Sequence, residues 1–149
     1  MVGSVTRTAG ISHSLARVVI NPGYNANTLS NDTAVIQTIT NMTFTAAVQP
    51  ISLGAANLGG GINVVLTGFG FTGVNATLAA TLQFVTLSTI TTPDCRGRLS
   101  LADASRVFDN NVCTFTRLGQ GACFYDAGSP LVACEFILND GINSEIIFT

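Results

Sequence analysis

The chain has 149 residues, of which 47% are hydrophobic and 9% are charged, and its mean hydropathy is +0.48. This apolar content excludes intrinsic disorder, which requires low hydrophobicity and high net charge. Six arginines and no lysine stand against eight acids, and polar residues interrupt every apolar run before the roughly 20 residues that cross a bilayer. We therefore expect neither a nucleic-acid partner nor a membrane partner.

The first half of the chain contains two predicted strands. Leu15–Ile20 is rich in β-branched residues and is followed by the turn signal Asn21–Gly23. Thr33–Ile39 is a second, largely apolar strand, which we expect to be buried. Residues 44–61 then lose alternation, pass through Pro50 and end in three glycines, as is typical of a connector.

Short strands and glycine-rich turns recur in the second half. The predicted strands are Ile62–Thr67, Ala80–Leu87, Leu131–Cys134 and Ile146–Phe148. Helical spacing is confined to Leu99–Val107, and strands and helices do not alternate. The pattern indicates an all-β, antiparallel sandwich or barrel.

Residues Gly68–Gly73 match the pattern G-x-G-x-x-G after a predicted strand, an arrangement that brings backbone amides close to a pyrophosphate. The next residues, Val74–Thr77, are a poor helix start. No acid follows at about 20 residues, where a ribose partner is expected, because Asp94 is too far along the chain. We expect no dinucleotide and no other cofactor.

Two features are typical of secreted proteins, although residues 1–7 lack the pattern of a secretory signal. Cysteines stand at positions 95, 113, 123 and 134 without a C-x-x-C pair or a neighbouring histidine, which argues against a metal site and leaves disulfides or buried thiols. Three N-x-[ST] triplets begin at Asn31, Asn41 and Asn75, although such triplets arise readily by chance in a chain rich in Thr and Asn.

Five segments, in order along the chain, resemble the chymotrypsin-like serine proteases, most of all the secreted arthropod ones. They are Arg17–Tyr24, similar to R-V-V-x-H-P-x-Y; Asn31–Val35, similar to N-D-I-A-L; Val48–Leu53, similar to V-Q-P-I-x-L; Gly68–Gly70, similar to G-W-G; and Gly121–Val132, similar to G-x-C-x-G-D-S-G-G-P-L-V. The G-W-G similarity also accounts for the dinucleotide-like match.

The resemblance implies an incomplete trypsin-like fold of antiparallel β-barrels. Residues 1–43 would be the remnant of the N-terminal barrel, residues 44–61 the inter-barrel connector, and residues 62–149 a C-terminal barrel that stops before its end. Such a fragment exposes strand edges and apolar inner faces, which favour aggregation or pairing with another chain.

The resemblance also assigns the catalytic positions. Hydrolysis in this family needs a serine nucleophile, a histidine base and an aspartate that orients the base. Asp32 matches the triad aspartate, and Ala127 stands where the nucleophilic serine is expected. The histidine motif T-A-A-H-C has no match, and the one histidine, His13, falls after its place. We expect His13 to be an exposed strand-end residue and Asp32 to act as a structural hydrogen-bond acceptor.

Three further positions follow from the same match. Tyr125 replaces the oxyanion-hole glycine, and we expect a reshaped loop because bulky residues avoid left-handed conformations. Asp126 takes the place of the acid that pairs with the α-amino group of a cleaved zymogen, so we expect it to be exposed or held as in a zymogen. Gly121 would give the specificity pocket an uncharged floor.

The resemblance implies one inherited disulfide, between Cys95 and Cys113. Cys123 and Cys134 are then either orphan thiols or a pair that the family lacks.

The function expected from these residues is that of a non-catalytic serine protease homologue, with a peptide or protein held in the former substrate cleft. Two alternatives stay open at this point: a serine-type endopeptidase by family membership, and a truncated gene product without a selected role. The family implies secretion to the extracellular space. The sequence leaves the oligomeric state open.

Overall fold

A computed structural model describes residues 1–54, 58–74, 76–135 and 143–148 of the chain. These ranges contain eight strands and two short helices. The elements are β1 Leu15–Ile20, β2 Ala34–Thr38, β3 Ser52–Leu53, β4 Asn63–Gly68, β5 Gln83–Ile90, α1 Thr92–Gly97, α2 Leu101–Ala104, β6 Cys113–Thr114, β7 Pro130–Glu135 and β8 Asn143–Phe148. None of the helices in the described ranges has the length and apolar character needed to cross a membrane.

The larger sheet has six strands in the order β3-β8-β7-β4-β5-β6. Its neighbours are antiparallel except β3 and β8, which are parallel. The sheet curls into a half-barrel, which confirms the expected all-β, largely antiparallel class. Strand β3 comes from the predicted connector, so this segment contributes an edge strand to the larger sheet.

The hydrophobic core lies between the central strands of this sheet. It consists of Val64 and Leu66 on β4, Leu87 on β5, and Leu131 and Ala133 on β7. Thr89 is buried beside them, and its hydroxyl accepts a hydrogen bond from the Ile62 amide at 3.0 Å. This bond gives the buried threonine hydroxyl a partner and avoids the cost of an unpaired buried polar group, so the core tolerates one threonine.

The smaller sheet is the antiparallel pair β1 and β2, in which Val18 lies opposite Ile36 and Val19 opposite Val35. The prediction that the second strand is buried is wrong, since Val35 is 69% exposed and every residue of β2 except Thr38 is exposed. Two strands alone cannot cover their own faces. The total accessible surface is 10796 Å², against about 7,200 Å² for a compact monomer of 15.4 kDa.

A disulfide between Cys95 and Cys113 ties helix α1 to strand β6, as the resemblance implied. The helix begins at a cap in which the Thr91 hydroxyl accepts from the Asp94 amide and donates to the Asp94 carboxylate. The bridge closes a loop with a sequence separation of 18, and such a loop closure stabilises a domain by about 3 kcal/mol. The disulfide therefore holds the outer edge of the larger sheet.

Because the core is small, it should be sensitive to a single truncation. Leu131 lies on a central strand and is 1% exposed. We expect Leu131→Ala to lower the free energy of unfolding by about 2 to 5 kcal/mol, measured by urea denaturation. Leu53→Ala is the matched control, since Leu53 is 66% exposed; an equal effect of the two substitutions would contradict this account of the core.

Candidate functional site

The loop before β7 is held by the carboxylate of Asp126. One carboxylate oxygen, Oδ1, accepts a hydrogen bond from the Gly70 amide at 2.9 Å, and Oδ2 accepts one from the Cys123 amide at 3.0 Å. The Asp126 amide donates to the Cys123 carbonyl at 3.1 Å, and the Ser129 amide donates to the Asp126 carbonyl at 2.9 Å. Asp126 is part-buried, and both of its carboxylate oxygens have backbone donors.

Two glycines allow this close approach. A Cβ atom at Gly68 or Gly70 would overlap the Asp126 carboxylate, and at Gly70 it would also lie 2.7 Å from the Phe124 carbonyl oxygen. The Phe71 amide then donates to that same carbonyl at 2.9 Å. The glycines of the G-x-G-x-x-G match thus serve contact between two protein segments, and no helix follows them among the described residues 71–74 and 76–79.

Tyr125 and Ala127 flank Asp126 on the exposed side of the loop. Tyr125 has a φ of 71°, so it adopts the left-handed conformation that a glycine would take without penalty. From the sequence we expected a loop reshaped to avoid this conformation, whereas the Tyr125 backbone lies in the left-handed region. The left-handed conformation costs a residue with a side chain about 1 to 2 kcal/mol.

The aromatic rings of this region form a cluster. The Tyr125 and Phe71 ring centroids are 4.9 Å apart, and those of Phe124 and Phe71 are 6.4 Å apart with an edge-on geometry. Tyr125 is 71% exposed and Phe124 is 76% exposed. Phe71 and Phe124 were not predicted as members of the site, although Phe71 follows Gly70 and Phe124 lies between Cys123 and Tyr125.

Two cavities adjoin the loop. The first, of about 220 Å³, is lined by Gly121 together with Gly70, Phe84 and Asp126. The second, of about 500 Å³, is lined by Arg7, Phe71, Ala76, Thr77, Leu78 and Tyr125. Gly121, expected at a pocket floor, therefore lines the same cavity as Asp126, while Phe71 and Tyr125 line the larger one.

Asp32 belongs to a different part of the fold. It is exposed and precedes β2, and no described residue donates a hydrogen bond to its carboxylate. The expected role as a structural acceptor is therefore not seen. Its neighbour Asn31 has a φ of 54° and donates from Nδ2 to the Gly23 carbonyl at 3.0 Å.

His13 lies at the other end of the β1–β2 pair. Its Nδ1 is 3.3 Å from the Thr40 hydroxyl, beside the register pair of Leu15 and Thr38, whereas Asp32 lies beside the pair of Ile20 and Ala34. The six residues of β1 span about 17 Å at the usual rise per residue. His13 and Asp32 therefore do not form a histidine–aspartate pair.

The cysteine arrangement agrees with the inherited bridge. Cys123 is a free thiol, half-buried at the start of the loop. Cys134 lies on β7. Among the residues that the structure describes, no group of three or more His, Cys, Asp or Glu side chains could hold a metal ion.

Comparisons with known proteins give the family. The trypsin family model matches residues 1–146. Chymotrypsin-2 of Vespa crabro is 36% identical over 122 residues, which cover 81% of this chain and 54% of that relative. Alkaline trypsin B of Manduca sexta is 34% identical over 128 residues, which cover 83% of this chain and 50% of that relative. The chain belongs to the trypsin family of chymotrypsin-like serine proteases.

A solved structure supports the same fold. The scabies mite inactivated protease paralogue S-D1 superposes with a TM-score of 0.80 at 18% identity, covering 97% of this chain and 68% of that one. The resemblance found in the sequence and the trypsin-like fold are thus confirmed. The chain spans about half the length of the curated relatives it matches.

The anchoring role of Asp126 can be measured directly. Asp126→Ala removes both acceptors and leaves the Gly70 and Cys123 amides unpaired, so we expect the free energy of unfolding to fall by about 1 to 3 kcal/mol. Asp126→Asn keeps one acceptor and should lose less. Urea denaturation checks both variants, with Asp32→Ala as the control; a loss as large in the control would refute this anchoring role.

Proposed function

We propose that this chain is a non-catalytic serine protease homologue that binds a peptide or protein at its former substrate cleft. Ala127 is the observation that carries the proposal. It is exposed on the turn between Asp126 and Gly128, at the position that matches the nucleophilic serine. Its methyl group has no lone pair with which to attack a carbonyl, so covalent catalysis cannot begin there.

The histidine of this chain gives further support. Acyl transfer of this type needs a base within hydrogen-bond reach of the nucleophile. The sequence has one histidine, and its ring contacts Thr40 at one end of the β1–β2 pair while Asp32 lies at the other. A hydroxyl restored at position 127 would therefore find no imidazole oriented by an aspartate within this chain.

The aromatic cluster supports the binding role. Tyr125 and Phe124 expose large rings backed by Phe71, next to a cavity of about 500 Å³. Exposed aromatic residues held against a packed neighbour are typical binding hot spots, because they bury much area at little entropic cost. We expect the partner to present an apolar or aromatic side chain to this surface.

An extracellular location is consistent with the proposed binding function. The Cys95–Cys113 disulfide is a bond that persists in oxidising compartments and is rare in the cytosol. One solved relative of the same fold is itself described as an inactivated protease paralogue, which supports the view that this fold is compatible with loss of activity.

Restoring the hydroxyl separates this proposal from the endopeptidase alternative. We expect neither the natural chain nor Ala127→Ser to hydrolyse fluorogenic peptide substrates above the buffer rate, because a lone serine lacks a base. An active-site titrant gives a second readout, and an active trypsin is the positive control. Turnover by the natural chain would establish the endopeptidase, and turnover by Ala127→Ser alone would show that the chain supplies a base.

The binding role has a separate test. We expect peptides selected from a random display library on the immobilised chain to carry apolar or aromatic residues. Their affinity should fall about tenfold, or 1.4 kcal/mol, in Tyr125→Ala. Leu118→Ala is the matched control, since Leu118 is 90% exposed and lies outside the cleft lining. Failure to select peptides, or equal affinity for both variants, argues against the cleft as a binding site.

A further inference from the structure

We propose that Asn41 is an N-glycosylation site of this chain and that Asn31 is not. The proposal goes beyond the proposed function and rests on it only for passage through the secretory route. Three N-x-[ST] triplets are present, at Asn31, Asn41 and Asn75. A triplet alone is weak support, because an acceptor must also lie where the folded protein can accommodate a bulky sugar. Asn75 lies outside the described residues.

The Asn41 triplet lies on an exposed loop directly after β2. Asn41 and Thr43 are both exposed and outside any strand. Neither side chain forms a hydrogen bond with the described part of the chain. A glycan on the Asn41 amide therefore displaces no hydrogen bond among the described residues, and the Thr43 hydroxyl is exposed for recognition during transfer.

The Asn31 triplet is built into the fold instead. Asn31 Nδ2 donates to the Gly23 carbonyl, and a Cβ atom built on Gly23 would lie only 3.2 Å from that nitrogen. The Thr33 hydroxyl accepts from Asn21 Nδ2 at 3.1 Å, and the Thr33 amide donates to the Asn31 carbonyl at 2.8 Å. A sugar on Asn31 would meet the turn at Gly23, so a chain glycosylated there should fold poorly.

The surroundings of Asn41 give the modification a physical effect. Ile39, Met42 and Phe44 are apolar and exposed on the same loop, and exposed apolar clusters favour self-association. A bulky hydrated glycan at Asn41 would cover part of this cluster and keep it from contact with other chains. We therefore expect the glycosylated chain to be more soluble.

The transfer is a balanced substitution. A bond forms between the Asn41 side-chain nitrogen and the anomeric carbon of an oligosaccharide, and the bond from that carbon to a lipid-linked pyrophosphate breaks. The lipid pyrophosphate leaves with the electron pair of the broken bond, and the proton lost by the amide nitrogen passes to the solvent. The donor is the lipid-pyrophosphate oligosaccharide of the secretory pathway. No residue of this chain other than the triplet takes part.

The test is secretion of the full chain from insect cells behind a secretion leader, followed by intact mass before and after enzymatic removal of N-glycans. We expect the natural chain, Asn31→Gln and Thr43→Ser to carry the glycan at Asn41, and Asn41→Gln and Thr43→Ala to lack it. A glycan-free natural chain, or a site-mapped glycan on Asn31, overturns the proposal. Mapping the modified peptide also separates Asn41 from Asn75, so an Asn75 glycan cannot be mistaken for support.

A second measurement tests whether the glycan reduces aggregation, and it does not depend on the expression level. At equal concentration, light scattering should show more aggregation for Thr43→Ala than for Thr43→Ser, because only the first removes the glycan that covers the loop. Equal aggregation of the two variants would overturn the solubilising role. These readouts do not involve hydrolysis or peptide binding, so their failure is distinguishable from failure of the proposed function.

Discussion

The carboxylate of Asp126 joins two segments that are 56 residues apart in sequence. It accepts hydrogen bonds from the Gly70 amide and from the Cys123 amide in its own loop. A charged acceptor shared between two backbone donors is stronger than a neutral hydrogen bond, and it fixes the loop relative to β4. The carboxylate thus helps to position the exposed residues Tyr125 and Ala127 on either side of it.

The hydrogen bonds that hold this loop do not involve the side chain at position 127. The loop is held by the side chain of Asp126, by backbone amides and by the absence of side chains at Gly68 and Gly70. The side chain of residue 127 takes no part in these hydrogen bonds. A methyl group at position 127 therefore leaves intact the hydrogen bonds that hold the turn. Tyr125 adopts the left-handed backbone conformation that favours glycine, and this conformation strains a residue with a side chain.

The two sheets differ in how much of their apolar surface they bury. The larger sheet buries a compact core around Val64 and Leu131, whereas the β1–β2 pair leaves most of its apolar residues in contact with solvent. Exposed apolar surface on a sheet with open edges favours association. Covering this surface therefore matters more here than in a compact domain.

The sequence by itself determined the class of the fold, the family and the place of most strands. Leu15–Ile20 was predicted at its observed limits, because β-branched residues favour an extended backbone and turn residues mark the end of the run. The two-residue strands β3 and β6 have no periodicity to detect, and α1 was missed although Thr91 and Asp94 form its capping pair. The exposure of β2 was also missed, because a strand's own sequence does not say which element covers it.

Only the tertiary structure decided the partners of the site residues. The motif placed Asp126 beside Ala127, but nothing in the local sequence pairs Asp126 with Gly70 or sets His13 and Asp32 at opposite ends of a strand pair. Short-range patterns fix backbone conformation, since they act over a few neighbouring residues. Contacts between distant segments depend on how the sheets pack, and so Ala127 could be singled out in the sequence while the hydrogen bond that joins its loop to Gly70 could not.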